Sequence, residues 1–283
     1  VCNDGVGVSI ELEGASTSID HFVDRFAELA PRHARIARVA VRDLQPTGRV
    51  DAFRVETSRE SPLTSASVPP DISTCDECLR ELFDPANRRH RYPFINCTIC
   101  GPRFTIARRI PYDRESTTMA AFIMCASCQA EYDDPGDRRF QAQANACPTC
   151  GPRVELVDVK GIPVSSSSAS DPVAAAVDAL RAGAIVAVKG LGGFHIACRA
   201  DDESVVARLR RRKQRDDKPL AIMAKDVSAA RNLVRLDALE CGLMTSEARP
   251  IVLARKIDRA RVATEVARGR SDLGVMLPYT PLH

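Results

Sequence analysis

Four Cys-x-x-Cys pairs carry the most specific chemistry in the chain: Cys75/Cys78, Cys97/Cys100, Cys125/Cys128 and Cys147/Cys150. A Cys-x-x-Cys turn presents two thiolates from one tight knuckle, which is half of a tetrahedral zinc site. Eight such sulfurs therefore make two four-cysteine sites. Eighteen residues separate the pairs within each half, and twenty-four separate the halves. Displaced by fifty residues, 75–103 matches 125–153 at every one of these cysteines and at Glu81/Glu131, Asp84/Asp134, Pro85/Pro135, Arg88/Arg138 and Arg89/Arg139. Each half also closes on Cys-Gly-Pro-Arg, at 100–103 and 150–153. This is an internal duplication of one metal-binding unit.

A redox Cys-x-x-Cys normally stands alone at a helix start after a strand, and a duplicated array of four does not fit that pattern. Thiolate ligands in sets of four point to structural zinc ahead of an iron–sulfur cluster or buried unpaired thiols. The clean repeat favours adjacent pairs sharing a metal; the alternative nests the first pair with the last. Closed tetrathiolate sites leave no open coordination position, so a scaffold is expected there rather than a catalytic metal. Gly101 and Gly151, directly after each second pair, suit a knuckle that needs a positive φ, and Pro102 and Pro152 stiffen the exit. Few apolar residues are evenly spaced over 71–152, so bound zinc, at roughly 10–16 kcal/mol per structural site, is expected to supply what a core does not.

A second constellation is cationic. Residues 171–183 read as a helix with Asp171 as N-cap, Pro172 at its first position and Gly183 at its end. The apolar strand "AIVAVKG" then runs into a loop, "KGLGGFHIAC", in which Lys189 stands beside Gly190, Gly192 and Gly193. Such a loop lets backbone amides approach a phosphate while the ammonium neutralises it. Next, "DDESVVARLRRRKQRDDKPLAIM" reads as a capped helix that releases Lys213, Arg215 and Lys218 just before another strand. Three cations at such a junction repel one another unless an anion joins them, and a nucleotide's phosphates would do so. Arg208, Arg210 and Arg211 are assigned to a solvated face. In "SEARPIVLARK", Ser246 and Arg249 lead into a third strand. His195 is readable either as a packed side chain or as a ligand contact. Cys198 and Cys241 have no partners at metal spacing and read as small buried residues.

The elements that carry these groups amount to more than one domain. The chain has 283 residues, 45% apolar and 27% charged, and no stretch near the 18 or so apolar residues of a membrane span. A net charge of +3 does not single out a polyanion. Eleven cysteines without a secretory leader point to a cytoplasmic metalloprotein rather than a disulfide framework. With Val1 in place of an initiator Met, the sequence is expected to be a fragment. At its start "GVSIELEG" alternates as a strand. "STSIDHFVDRFAELAP" then follows with Ile19, Phe22, Val23, Phe26 and Leu29 at helical spacing and Ser18 as a cap, and "ARIARVAV" and "DAFRVETS" read as two more strands. The Ser-rich stretch 164–171 reads as a linker.

"VCNDGVGVSIELEG" resembles the second half of acylphosphatases. That resemblance implies Asn3 as the residue orienting the attacking water and Gly7 as its matching glycine; read from the residues alone, Asn-Asp-Gly is a turn. The family's phosphate-binding arginine is expected upstream of Val1, so acylphosphatase activity is not expected of this chain alone.

Taken in order, "STCDECLRELFDP", "YPFINCTICGPRFTI", "PYDRESTTM", "CASCQAEY", "ACPTCGPR", "KGLGGFHIAC", "KPLAIM", "RPIVL" and "LGVMLPYTPLH" resemble the HypF family of hydrogenase-maturation carbamoyltransferases over nearly the whole chain. The resemblance implies an α+β multidomain protein. Its parts are a partial ferredoxin-like acylphosphatase sandwich at 1–60, a double zinc-finger domain at 61–155, a linker at 156–170 and a partial YrdC-like α/β domain at 171–283. It implies carbamoyl phosphate and ATP with Mg as substrates, carbamoyl adenylate as the intermediate and a HypE-type acceptor whose C-terminal cysteine takes the carbamoyl group.

By motif, Lys189 and its glycines would line the nucleotide pocket, Lys213, Arg215 and Lys218 would hold phosphates, and Ser246 and Arg249 would contact the adenylate. Gln141 and Ala144 replace the family's usual His and Pro, which puts any auxiliary role of that His in doubt. The pocket's Ser-Gly-Asn loop and the transferase domain are expected beyond His283. The rival reading is a zinc-containing RNA- or protein-binding module without turnover. Four Tyr and no Trp give few stacking platforms, and double-stranded RNA is not the expected partner.

Overall fold

The computed structural model describes residues 1–3, 7–31, 33–34, 36–48, 53–58, 68–164 and 171–283. Packing divides the chain into two units, Val1–Pro70 with Cys97–Asn145 and Asp71–Asn96 with Ala146–His283.

At the start of the first unit, strands β1 (Cys2–Asn3) and β2 (Val8–Ser9) pair antiparallel, Cys2 opposite Ser9 and Asn3 opposite Val8. Residues 4–6 of the Asn-Asp-Gly turn lie outside the described residues. The expected amphipathic helix is present as α1 (Ser16–Phe26), but Ala15 is its N-cap and Ser18 lies inside it. Neither "ARIARVAV" nor "DAFRVETS" forms a ladder strand among the described residues. A strand needs a neighbour along its length. Val1 meets the second segment at a single point, donating to Arg54 O (2.9 Å) and accepting from Glu56 N (2.7 Å), without a ladder among the described residues. Ile36, Val39, Val41 and Val55 accordingly remain 39–61% exposed.

The cysteine segment carries helices α2 (Asp76–Phe83) and α3 (Ala126–Asp133), fifty residues apart. The duplication extends to backbone detail. Asp84 and Asp134 accept from the amides of Ala86 and Gly136, and Asn87 and Asp137 accept from those of Arg89 and Arg139. Arg91 and Gln141 both sit at positive φ, 58° and 53°. Besides cysteines, the apolar side chains buried here are Leu82, Tyr92, Ile95, Met119, Ala142 and Ala146, against a comparable set of buried polar ones, including Arg89, Arg139 and Asn145.

The core of the second unit lies after residue 171; the Ser-rich stretch 165–170 is outside the described residues. Helix α4 (Pro172–Arg181) has the expected Asp171 cap, whose carboxylate accepts from the amides of Val173 and Ala174, and Gly183 follows at φ 83°. Strands β3 (Val186–Lys189) and β4 (Phe194–Ala197) form an antiparallel hairpin. Helix α5 (Glu203–Lys213), capped by Asp202, leads to β5 (Ala221–Met223). Helices α6 (Val227–Arg231) and α7 (Ala238–Thr245) precede β6 (Val252–Arg255) and β7 (Asp272–Met276). The sheet order is β5-β7-β6, with β7 parallel to β5 and antiparallel to β6. Val206, Ile222, Met244, Val252, Leu273 and Val275 form its core.

Asp171 also accepts from Arg91 Nε (2.8 Å), which ties the finger segment to α4. Burial raises its pKa, but the amides of Ala174 and Val173 and the Arg91 guanidinium outweigh that and hold it below the usual 3.8. A carboxyl depressed by folding stabilises fully above its unfolded pKa and loses that contribution as pH falls through the folded value. Asp171→Ala is expected to cost about 1 kcal/mol at neutral pH. Thermal melts of variant and parent should converge as pH falls below 3.8.

Candidate functional site

Cys75 and Cys125 are the N-caps of α2 and α3, which puts Cys78 and Cys128 on the first helical turn; the Cys75 sulfur accepts from Cys78 N (3.5 Å). The second pairs lie on tight turns closed by Gly101 N to Thr98 O (2.9 Å) and Gly151 N to Cys147 O (2.8 Å). The eight sulfurs gather into two groups, Cys75, Cys78, Cys97 and Cys100, and Cys125, Cys128, Cys147 and Cys150, within 4.8 Å of one another in each. Adjacent pairs share a site, and the nested arrangement is ruled out.

The sulfur separations of Cys97–Cys100 and Cys147–Cys150 are 3.9 and 3.8 Å. A disulfide needs about 2.05 Å. A tetrahedron with zinc–sulfur bonds of about 2.3 Å has edges of about 3.8 Å. The two groups fit two zinc ions, each held by four thiolates and most of them buried. Burial raises the Cys147 thiol, yet the amides of Cys150 and Thr149 outweigh it and bring its pKa to about 6, so it is a thiolate at neutral pH.

The two repeats are stitched together at these knuckles. Buried Arg89 donates Nε to Ala146 O, beside Cys147 (2.8 Å), and Thr98 Oγ1, inside the Cys97 knuckle, donates to Arg138 O (2.9 Å). Gly101 has the expected positive φ, 71°, whereas Gly151 is not at positive φ. Gly151 is required by space instead: a Cβ there would clash with Tyr92 Oη and lie 2.6 Å from Ala146 Cβ. Gly151→Ala is therefore expected to lower stability by about 1–3 kcal/mol with both zincs retained, measured by thermal unfolding in excess zinc.

The Gly-rich loop is the turn of the β3–β4 hairpin, closed by Gly190 N to Gly193 O (2.8 Å), with Gly192 at φ 73°. Lys189 is exposed, its Nζ 4.9 Å from the Phe194 ring centroid. Gly190 leaves room for other side chains: a Cβ would meet His195 Nε2 at 2.9 Å and Tyr279 Oη at 3.4 Å. His195 Nε2 is 3.0 Å from Tyr279 Oη, and His283 stacks on Tyr279 at 4.8 Å. Burial, then the neighbouring His195, lowers the His283 pKa. Tyr279 and His283 thus join His195 beside Gly190. The sequence reading missed both, because Tyr279 stands 84 residues after His195 and no local pattern links them.

The loop after α5 departs most from expectation. Arg210, assigned to a solvated face, is 2% exposed. It donates to the carbonyls of Arg215, Asp216 and Lys218 through Nη1, of Glu265 through Nε and of Val266 through Nη2. Arg215 is half-buried and donates to Lys218 O (3.1 Å) and Pro219 O (2.7 Å), while Lys213 and Lys218 are exposed. Ser246 caps α7, donating Oγ to Leu243 O (2.7 Å), and accepts from Arg249 N; Arg249 stands at φ 45° with Nε buried and unbonded. These residues precede β6, which enters the sheet antiparallel to β5, so the 213–218 and 246–249 loops approach β7 from opposite directions. Cys198 and Cys241 are half-buried rather than buried. Asn3 is half-buried on β1.

Comparison with known proteins agrees with these two regions. The HypF finger family matches residues 74–107 and 124–157, and the Sua5/YciO/YrdC family, described as telomere recombination, matches 178–283. Carbamoyltransferase HypF2 of Cupriavidus necator is 49% identical over the whole chain, and carbamoyltransferase HypF of Synechocystis sp. is 47% identical. The chain spans 35% and 36% of their lengths. The crystal structure of T. kodakarensis HypF superposes with a TM-score of 0.89 at 44% identity, covering 100% of this chain and 35% of that one. Full-length HypF in a phosphate- and nucleotide-bound form gives 0.86 at 42%, covering 95% and 34%. Among the described residues no helix is long and apolar enough to cross a membrane.

Proposed function

We propose that this chain, which is homologous along its whole length to the HypF carbamoyltransferases, is the zinc-bearing and nucleotide-activating part of such an enzyme. The observation that carries the reading is the union, in one chain, of two tetrathiolate centres with a YrdC-type domain bearing exposed Lys189, Lys213 and Lys218. Carbamoyl phosphate, hydrolysed with Asn3 orienting the water, yields carbamate and inorganic phosphate. A carbamate oxygen attacks the α-phosphorus of ATP, the bond from that phosphorus to the bridging oxygen breaks, and pyrophosphate leaves with Mg. The resulting carbamoyl adenylate passes its carbamoyl group to the C-terminal cysteine thiol of a HypE-type acceptor, releasing AMP.

Lys213, Arg215 and Lys218 hold the phosphates, Lys189, Gly190, Gly192 and Gly193 flank the nucleotide, and His195, Ser246 and Arg249 contact the adenylate. A mixed anhydride hydrolyses readily, so cations at its phosphates and exclusion of water serve the same end. The zinc centres hold the fold and take no part in the chemical steps. The test is carbamoyl-phosphate-dependent exchange of labelled pyrophosphate into ATP by the full-length protein. Exchange that needs carbamoyl phosphate supports the reading. A folded, zinc-loaded protein without exchange, whose RNA affinity falls steeply with salt and ignores ATP, replaces it with the binding module.

A further inference from the structure

We infer that Arg210 is a positioning residue that pre-forms the cationic loop 213–218 by turning the carbonyls of Arg215, Asp216 and Lys218 toward the interior. A buried guanidinium demands partners for its donors, and here all three nitrogens bond backbone carbonyls of 215–218 and 265–266, while the nearest carboxylate oxygen, on Glu265, lies 3.9 Å away. The consequence is electrostatic as well as steric. A loop that binds an anion must keep its carbonyl oxygens off the ligand, and these three are committed to Arg210. Gln214 supplies the turn that makes this possible, at φ 48°, as the left-handed cap of α5. Arg215 N donates to Arg210 O (3.2 Å) and Leu220 N to Val266 O (2.9 Å), so both ends of the loop are anchored to the elements Arg210 spans. Lysine carries the same charge but cannot reach five carbonyls from one planar fork.

That the loop's ligand is a nucleotide phosphate rests on the function proposed above; that Arg210 shapes the loop does not. ATP affinity of the zinc-loaded full-length protein should fall at least tenfold in Arg210→Lys and further in Arg210→Gln. Leu209→Ala, a buried neighbour on α5 that makes none of these bonds, should lower stability and leave the affinity unchanged. Wild-type affinity in Arg210→Lys, or an equal loss in Leu209→Ala, overturns the inference. Hydrogen exchange on the unaltered protein decides even where the variants do not fold. The amides of Arg215 and Leu220 should be protected without ATP, and protection gained only on adding ATP overturns a pre-formed loop. A wild-type protein that binds no ATP but shows this protection removes the nucleotide reading and leaves the positioning role.

Discussion

Cys75→Ser is expected to remove one of two zinc ions and to unfold residues 71–152. Metal analysis should fall from two zincs per chain toward one or none, with loss of the near-ultraviolet signal of Tyr92 and Tyr132. The magnitude follows from what else holds this segment. Its buried apolar side chains are few, and they share the interior with Arg89, Arg139, Asn96, Asn145, Ser116 and Thr117. Burial of that composition does not offset the chain entropy of some eighty residues. A structural zinc contributes roughly 10–16 kcal/mol, comparable to the whole stability of an ordinary domain.

The effect should not stop at the mutated centre. Arg89 belongs to the first repeat by sequence, yet it bonds the carbonyl next to Cys147, and Thr98 bonds Arg138. Loss of the first zinc frees both donors, so the second zinc should become more accessible to a chelator. A Cys75→Ser protein that keeps its fold without metal would remove zinc from the account of stability.

How much of this was legible beforehand depends on where each constraint sits. Metal ligands announce themselves because zinc fixes residue type and spacing together. The cysteine array therefore gave the number of sites, and the repeat gave the favoured pairing that the sulfur positions bear out. Caps were equally local: Asp171 and Asp202 act where the sequence puts them. Ser18 was a local miss, since α1 starts two residues before it with Ala15 as its N-cap; most of the other failures were non-local. "ARIARVAV" has the alternation of a strand, but alternation does not supply a neighbour. The run of arginines at 208–212 looked uniform, yet helical phase sends Arg210 inward while Arg211 stays exposed. Glycine was ambiguous in the same way. Gly101 answers a demand of φ, whereas Gly151 and Gly190 answer the approach of Tyr92 and of His195, neither adjacent in sequence.

Lys213→Glu with Lys218→Glu is expected to lower ATP affinity by more than a hundredfold while zinc content and melting temperature stay near those of the parent. Of the three cations proposed to hold the phosphates, Lys213 and Lys218 are the two whose side chains the loop itself does not use. Arg210 is consumed by carbonyls, and Arg215 commits Nε and Nη2 to Lys218 and Pro219, but Lys213 and Lys218 extend into solvent. A unit charge about 4 Å from a phosphate oxygen contributes roughly 4 kcal/mol at the effective dielectric of a protein surface. Reversing two such charges replaces attraction by repulsion, so a loss of more than about 2.8 kcal/mol, a hundredfold, is a lower bound. Exposed charges also screen: the parent's affinity should weaken between low and physiological salt, and the variant's residual binding should not. Arg215→Ala separates charge from shape. It removes a cation together with two loop bonds, so it should reduce protection at Leu220 in hydrogen exchange, which the lysine reversals leave intact. Unchanged ATP affinity in the double reversal would move the phosphates elsewhere, with exposed Lys189 beside the β3–β4 turn the next cation to reverse.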